Sequence, residues 1–442
     1  MDIWYIIGQA LVAFIVINLS LVGVAYVIYF ERKVAAAMQG RIGPNRAGPV
    51  GLLQSFADLL KMLKKEDTTP KDSDKVVFFI APIVGVFTML GALAVIPFGP
   101  PANLPGGIEI FGLRLNWFIS QINVGALLIL ALSSLGVYGI IMAGWGSNSK
   151  YALLGGLRSS AQVISYEITL GISLIGVFLL TGSLNLSDIV LAQYPRVAGT
   201  LGPVGTPGIW LILLQPIGFI IFFISAIAEM SRIPFDLTEA EAELVSGYHT
   251  EYSGMRFGLF QLTEFGSTIV IASATTVFFL GGWLSPLEGL VHSTDIPFVS
   301  GLLSSGIWWF LLKVAVIIFI LYWIRWTLPR FRYDQLMGLC WKVLLPLTLL
   351  NIVVIALLKL IFFPPGTDPA TYSELLWWII ALIEIVFGIA AVIMLSRLSG
   401  LSWFGRAERP VLVDRSVILV KNVQGGRGTI EGEARTVAVT RE

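Results

Sequence analysis

The residues best able to do chemistry crowd into one stretch, "EMSRIPFDLTEAEAELVSGYHTEYSGMRF" (229–257). Glu229, Asp236, Glu239, Glu241, Glu243 and Glu251 face only two cations there, Arg232 and Arg256. Closely set carboxylates repel one another, which favours retention of protons on some of them and makes such a run able to hold and pass protons. Part of the pattern has a structural explanation. Asp236 with Glu239 three residues on matches a capping box after Pro234, and acids suit a helix N-terminus. Caps account for two acids at most, and a solvated acidic loop is the alternative for the rest.

Two more acids lie inside apolar runs: Glu167 in "SYEITLGI" and Glu264 in "LFQLTEFGS". An ionisable residue within a span costs at least ~2.5 kcal/mol on insertion scales and normally faces protein or a water-filled cavity. Glu167 projects opposite a stripe of Gln162, Ser165, Thr169 and Ser173, with Gly171 one turn away leaving space. Each buried acid reads either as a proton carrier or as a neutral, hydrogen-bonded tie between helices. Lys313 and Lys359, in the outer halves of their runs, are expected to snorkel to the outer interface. Glu384, in the last run, is open between a functional role and facing a partner subunit. The single cysteine, Cys340, excludes a disulfide framework within the chain and a cysteine-held iron–sulfur cluster. His249 and His292 alone cannot make a zinc or haem site.

The elements that position these acids follow from composition. Of 442 residues, 56% are hydrophobic and 13% charged, which points to an all-α polytopic membrane protein. Runs of roughly 20 apolar residues, each able to cross a ~30 Å hydrocarbon core, recur near 4–30, 76–97, 122–143, 161–181, 209–228, 257–280, 306–324, 343–363 and 375–395. About nine transmembrane helices are expected, because alternating β-barrel strands would not give such continuous runs. Between the first two lies "GLLQSFADLLKMLKKED". Leu52, Leu53, Phe56, Leu59, Leu60 and Leu63 form one face, and Gln54, Asp58, Lys61 and Lys65 a polar stripe. This predicts an interfacial amphipathic helix. It is either a surface connector with an Asp58–Lys61 pair, or a roof over a cavity with Asp58 facing inward.

Of the 29 Lys and Arg, 25 fall in one alternating set of loops and the tail. The opposite loops hold Arg114 and Arg196, and Lys313 and Lys359 lie within spans. The positive-inside rule then puts Glu31–Pro49, the acidic stretch and the C-terminal tail in the cytoplasm and the N-terminus outside. The start carries no basic n-region of a cleaved signal peptide. Loops 98–116 and 195–208 read as Gly/Pro/Asn connectors, a short helix is expected near 284–292, and no internal repeat is visible. The tail after Gly400 abandons the apolar pattern and is expected to be mobile, with a short hairpin around Gly425–Gly426.

Four long blocks carry a resemblance: "ERKVAAAMQGRIGPNRAGPVGLLQSFADLLKMLKKED", "YGIIMAGWGSNSKYALLGGLRSSAQVISYEI", the acidic stretch above, and "RWTLPRFRYDQLMGLCWKVLLP". In this order they resemble one membrane-subunit family of NADH:quinone oxidoreductase (respiratory complex I). Its bacterial members are the H subunits, and its mitochondrial members are NADH dehydrogenase subunit 1. The resemblance covers about residues 4–363. It implies an eight-helix core at 1–363 holding a quinone chamber at the junction with the soluble arm. Residues 364–397 are then an additional helix and 398–442 the tail, and nothing is carried over to either. It implies a proton trail through Asp58, Glu167, Glu229, Glu239, Glu241, Glu243, Glu251 and Glu264. Arg32, Arg41, Arg46, Asp58, Lys61, Arg232 and Phe235 match residues at the chamber or its docking surface.

Quinone is then the substrate, with nothing bound covalently and iron–sulfur clusters and FMN confined to partner subunits. Those partners are the soluble iron–sulfur and quinone-site subunits of the peripheral arm. Small membrane subunits and antiporter-like subunits of the membrane arm complete the set, in the bacterial inner membrane and without nucleic acid. One departure stands out: some relatives carry a further glutamate in the third span, where this chain has Ser134. Three other readings differ in class or donor. They are a hydrogenase- or ferredoxin-linked complex, a stand-alone ion transporter, and a purely structural anchor for the soluble arm.

Overall fold

The computed structural model describes residues 3–101, 108–110, 113–194, 209–236, 246–286, 304–362 and 374–398. Met1–Leu395 forms one compact unit and Ser396–Glu442 a second. Glu239, Glu241, Glu243, the tail hairpin and most of the expected 284–292 helix lie outside the described residues.

The chain runs through α1 (Ile3–Met38), α2 (Gln54–Lys64), α3 (Lys75–Val95), a two-stranded antiparallel hairpin (Ile108–Ile110 with Leu113–Leu115), α4 (Gly125–Gly146) and α5 (Lys150–Thr181). It continues through α6 (Leu186–Ala192), α7 (Leu211–Leu214), α8 (Pro216–Glu229), α9 (Gly254–Phe279) and α10 (Ile307–Thr327). Last come α11 (Tyr333–Leu339), α12 (Leu345–Phe362) and α13 (Glu374–Leu398). A π turn over Cys340–Leu344 joins α11 to α12, so Tyr333–Phe362 reads as one continuous helical stretch. Among the described residues, seven helical stretches are long and apolar enough to cross a membrane, and Pro216–Glu229 and Leu376–Ala390 are shorter apolar helices. This is an all-α, multi-pass membrane protein.

Three helices reach further than their apolar runs predict, all at the Arg- and Lys-rich end. α1 continues eight residues past position 30, and α5 begins at Lys150 rather than 161. The last core helix is already formed by Tyr333. Hydropathy marks where the bilayer ends, but a helix continues as long as its residues favour it and neighbours cover its face. "ERKVAAAM" and "YALLGGLRSSAQ" are rich in Ala, Leu, Lys and Arg, and have no proline to stop them.

α5 sits centrally, packed on α4, α8 and α12, while α9 packs on α3 and α10. Its polar stripe serves this packing. Gln162 Nε2 donates to the carbonyls of Ala228 (2.8 Å) and Phe235 (2.7 Å), and the Thr169 and Ser225 hydroxyls lie 2.8 Å apart. The Cys340 thiol donates to Ser165 O at 3.2 Å. Large apolar side chains such as Phe14, Phe87, Trp308 and Ile361 are exposed on the outside, as a lipid-facing surface requires.

Lys313 departs from the snorkelling expectation. It is 8% exposed, and its Nζ donates to the carbonyls of Leu280 (2.6 Å), Gly282 (3.0 Å) and Leu284 (2.6 Å), 4.4 Å from the Trp210 ring. A cation there gives partners to carbonyls of the buried loop that follows α9. Lys359 likewise donates to Leu179 O.

One close approach fixes the segment after the acidic run. A Cβ on Gly155 would stand 2.7 Å from Cα of Gly247, which itself has φ +61. Tyr252 is locked beside it, its ring stacked on Phe78 at 3.9 Å and its hydroxyl donating to Phe78 O at 3.0 Å. Replacing Gly155 with valine is expected to cost on the order of 1–3 kcal/mol by overpacking. Thermal unfolding of the purified assembly checks it; an unchanged midpoint would show that the contact yields freely.

Candidate functional site

The site is built on an alternating chain of charges inside the protein. Arg325 Nη1 of α10 lies 2.6 Å from Glu31 Oε1 of α1, and Glu31 Oε2 lies 3.4 Å from Arg232 Nη1. Arg232 Nε then donates to Glu264 Oε1 of α9 at 2.9 Å. The Arg232 guanidinium lies 4.2 Å from the centre of the Phe265 ring. Arg232 is 4% exposed and Glu31 6%. Charges so buried persist only when paired, and here each inner member has a partner on both sides. Local sequence explains Glu31's inward aim: it falls on the face of α1 that buries Val24, Val34 and Ala35.

Two spaces meet this chain of charges, one at Glu31 and the other at Glu264. Glu31, Arg32, Arg41, Arg46, Gln54 and Trp326 are among the residues lining an open cleft of about 840 Å³ at the basic end of the molecule. Its wall is the Gly/Pro loop after α1. There Gly51 has φ +84, and a Cβ on it would meet Pro44 O at 2.2 Å. Only glycine fits both demands. Tyr29 Oη donates to Val50 O at 2.8 Å and ties the loop back to α1. Glu264 and Glu229 line the second space, an internal cavity of about 170 Å³ among α3, α4, α5, α8 and α9. Thr88, Ser133, Ser231, Tyr248, Thr263 and Ser267 also face it, polar groups set in a mostly apolar wall, with room for several waters.

Asp58 bears on the two readings of the amphipathic helix. Its carboxylate takes Arg32 Nη1 at 2.5 Å and Gln54 Nε2 at 3.0 Å, so it turns towards α1 instead of pairing with Lys61. Ser55 Oγ adds a bond to Ala25 O at 2.6 Å. Leu52, Leu53, Phe56, Leu59, Leu60 and Leu63 stay exposed on the outer side, and Lys61 is exposed too. Arg41 donates from Nε to Gln39 Oε1 at 2.6 Å.

Among the membrane acids, Ser134 Oγ of α4 donates to Glu167 Oε1. Glu229, the last residue of α8, faces Ser133 and lies near enough to Glu167 to feel its charge. Glu251 is half-buried in the turn before α9. Next to it, burial pushes the His249 imidazole below its ordinary value, outweighing the opposing pull of Glu264. A neutral His249 therefore adds no positive charge to the acids. Phe235 belongs to core packing, stacked on Phe331 at 5.5 Å and tilted against Tyr166 at 5.8 Å. Asp236 pairs with Arg330 Nη2 at 2.9 Å.

Glu264 and Glu229 therefore meet around one cavity, with Arg232 bonded to Glu264, whereas Arg32, Arg41 and Arg46 line the cleft and Asp58 pairs with Arg32 beside it. Glu31 and Arg325 complete the chain of charges but stand outside the sequence-derived set of site residues. The signal for Glu31 was present: an acid continuing the buried face of an apolar helix.

A sequence model of the NADH dehydrogenase family matches residues 11–356. The chain is 49% identical over 361 residues to the H subunit of NADH-quinone oxidoreductase from Thermomicrobium roseum, covering 81% of this chain and 98% of that protein. It is 48% identical over 345 residues to the second of the numbered H subunits of Geobacter sulfurreducens, covering 78% and 93%. It is also 48% identical over 361 residues to the H subunit of Rhodospirillum centenum, covering 80% and 96%. With a match of this extent, running through every element that builds the two spaces and the charges between them, the chain belongs to the NADH dehydrogenase family, alongside the H subunits of NADH-quinone oxidoreductase.

Proposed function

We propose that this chain, a membrane subunit of an NADH-quinone oxidoreductase complex, forms a quinone chamber at the cleft and couples quinone reduction to proton movement through its carboxylates. One observation carries the reading. Glu31 lines the cleft, Glu264 lines the internal cavity, and the buried guanidinium of Arg232 holds both.

A two-electron reduced quinone demands two protons. New negative charge near Glu31 competes with it for Arg232 and Arg325, and a weakened hold on Glu264 favours a proton there. The cavity then offers Glu264 and Glu229 a common space with hydroxyls in its wall, with Glu167 beyond. Glu239, Glu241, Glu243 and Glu251 extend the trail in this reading. Asp58, Arg32, Arg41, Arg46 and Lys61 serve the chamber and its docking surface, while Phe235 holds the core behind them. The basic end faces the cytoplasm and meets iron–sulfur subunits of the soluble arm, while antiporter-like subunits receive the protons.

The test is Asp58→Asn. Losing the carboxylate frees Arg32 and loosens α2 from α1, so quinone turnover and binding of a quinone-site inhibitor should weaken several-fold in the assembled complex. A wild-type inhibitor titration and turnover would remove α2 from the chamber.

A further inference from the structure

Glu167 sits in a spanning helix and Glu229 at the end of the shorter apolar α8, and the hydroxyl of Ser134 serves Glu167 as that of Ser133 serves Glu229. Both hydroxyls also converge on one backbone oxygen: Ser133 Oγ lies 2.9 Å from Leu130 O and Ser134 Oγ 3.0 Å from it. Each serine has a single proton to donate and can also accept. It can point that proton at Leu130 O or at its carboxyl, but not at both.

We propose that Ser133 and Ser134 are positioning residues that let Glu167 and Glu229 gain and lose a proton without a fixed cation, by turning between each carboxyl and the shared Leu130 carbonyl. With Glu167 ionised, Ser134 donates to the carboxylate. With Glu167 protonated, the acid donates to Ser134 Oγ and Ser134 turns its own proton to Leu130 O. Every donor has an acceptor in both states, so neither state leaves a buried polar group unmet. A lysine or arginine in the same place would hold the acid ionised; an alanine would leave the ionised state without a donor. The two serines stand side by side, so the two mutually repelling acids share one switching point on α4. Ser133 lines the internal cavity, which Glu264 also lines.

This inference rests on the relay reading above, and the experiment separates the two. The complex is prepared with Ser134→Ala, Ser134→Thr, Ser133→Ala and Glu167→Gln, with quinone reduction and proton transfer in vesicles normalised to assembled complex. Ser134→Ala is expected to lower coupled proton transfer about tenfold, the loss of one hydrogen bond to a charged group. Ser134→Thr, which keeps the hydroxyl, should stay within about twofold. Infrared difference spectra on quinone reduction provide a signature that a packing defect would not give. The carboxyl band that Glu167→Gln removes should move to higher frequency in Ser134→Ala and stay in place in Ser134→Thr. Wild-type behaviour of Ser134→Ala, or a threonine variant as impaired as alanine, would overturn the serine inference. If Glu167→Gln itself pumps normally, the relay reading fails instead.

Discussion

Arg232→Gln is expected to abolish coupled quinone reduction and to lower the stability of the assembled protein by roughly 3–5 kcal/mol, the usual cost of breaking a buried ion pair from one side. Arg232 is the one described cation that bonds both Glu31 and Glu264, and it does so almost wholly buried. Its removal leaves Glu31 with Arg325, but Glu264 loses the cation that stands 2.9 Å from it. Glutamine can offer one of these acids a hydrogen bond but no charge. Lysine keeps the charge, yet a single ammonium lacks the planar fork that reaches two carboxylates in different directions. Arg232→Lys should therefore assemble better than Arg232→Gln while recovering little coupled activity. Assembly on native gels and NADH-driven quinone reduction measure the two effects separately. Full coupling in the glutamine variant would break the link between cleft and cavity on which the mechanism depends.

The second large effect concerns a residue between two cations. Glu31→Gln brings the guanidinium groups of Arg232 and Arg325 to one neutral side chain, with only Glu264 left against two positive charges. The cost should again be on the order of 3–5 kcal/mol, seen as lost assembly and lost turnover. Removing one arginine as well should return part of it, because Glu31→Gln with Arg325→Gln restores the charge balance. A double-mutant cycle over these positions is expected to show coupling of about 0.5–3 kcal/mol. Strict additivity would mean that the two side chains act independently.

How much of this was legible in the sequence depends on the kind of information needed. The membrane spans were readable because hydropathy is summed over consecutive residues and the bilayer fixes how many are needed. Seven of the runs stand as long apolar helices, and the fifth and ninth as shorter ones. The cost of a charge in a span likewise made Glu167 and Glu264 conspicuous. Helix ends were read less well, since α1 and α5 continue past the bilayer on residues that hydropathy counts as loop. The polar stripe of α5 was visible in the sequence, but its role in hydrogen bonding between helices, at Gln162 and Thr169, was not. Periodicity shows which residues share a face, not what that face meets.

The family assignment, the multi-pass architecture and the inventory of acids are thus properties of the sequence alone: each is carried by residue types and local spacing. Which acid meets which cation was decided by tertiary structure. Arg232 lies 201 residues from Glu31, and their contact depends on the rotation and lateral order of helices that local patterning leaves free. Ser134 shows the same division most clearly. In sequence it is a missing glutamate; only the packing of α4 on α5 turns its hydroxyl into the partner of Glu167.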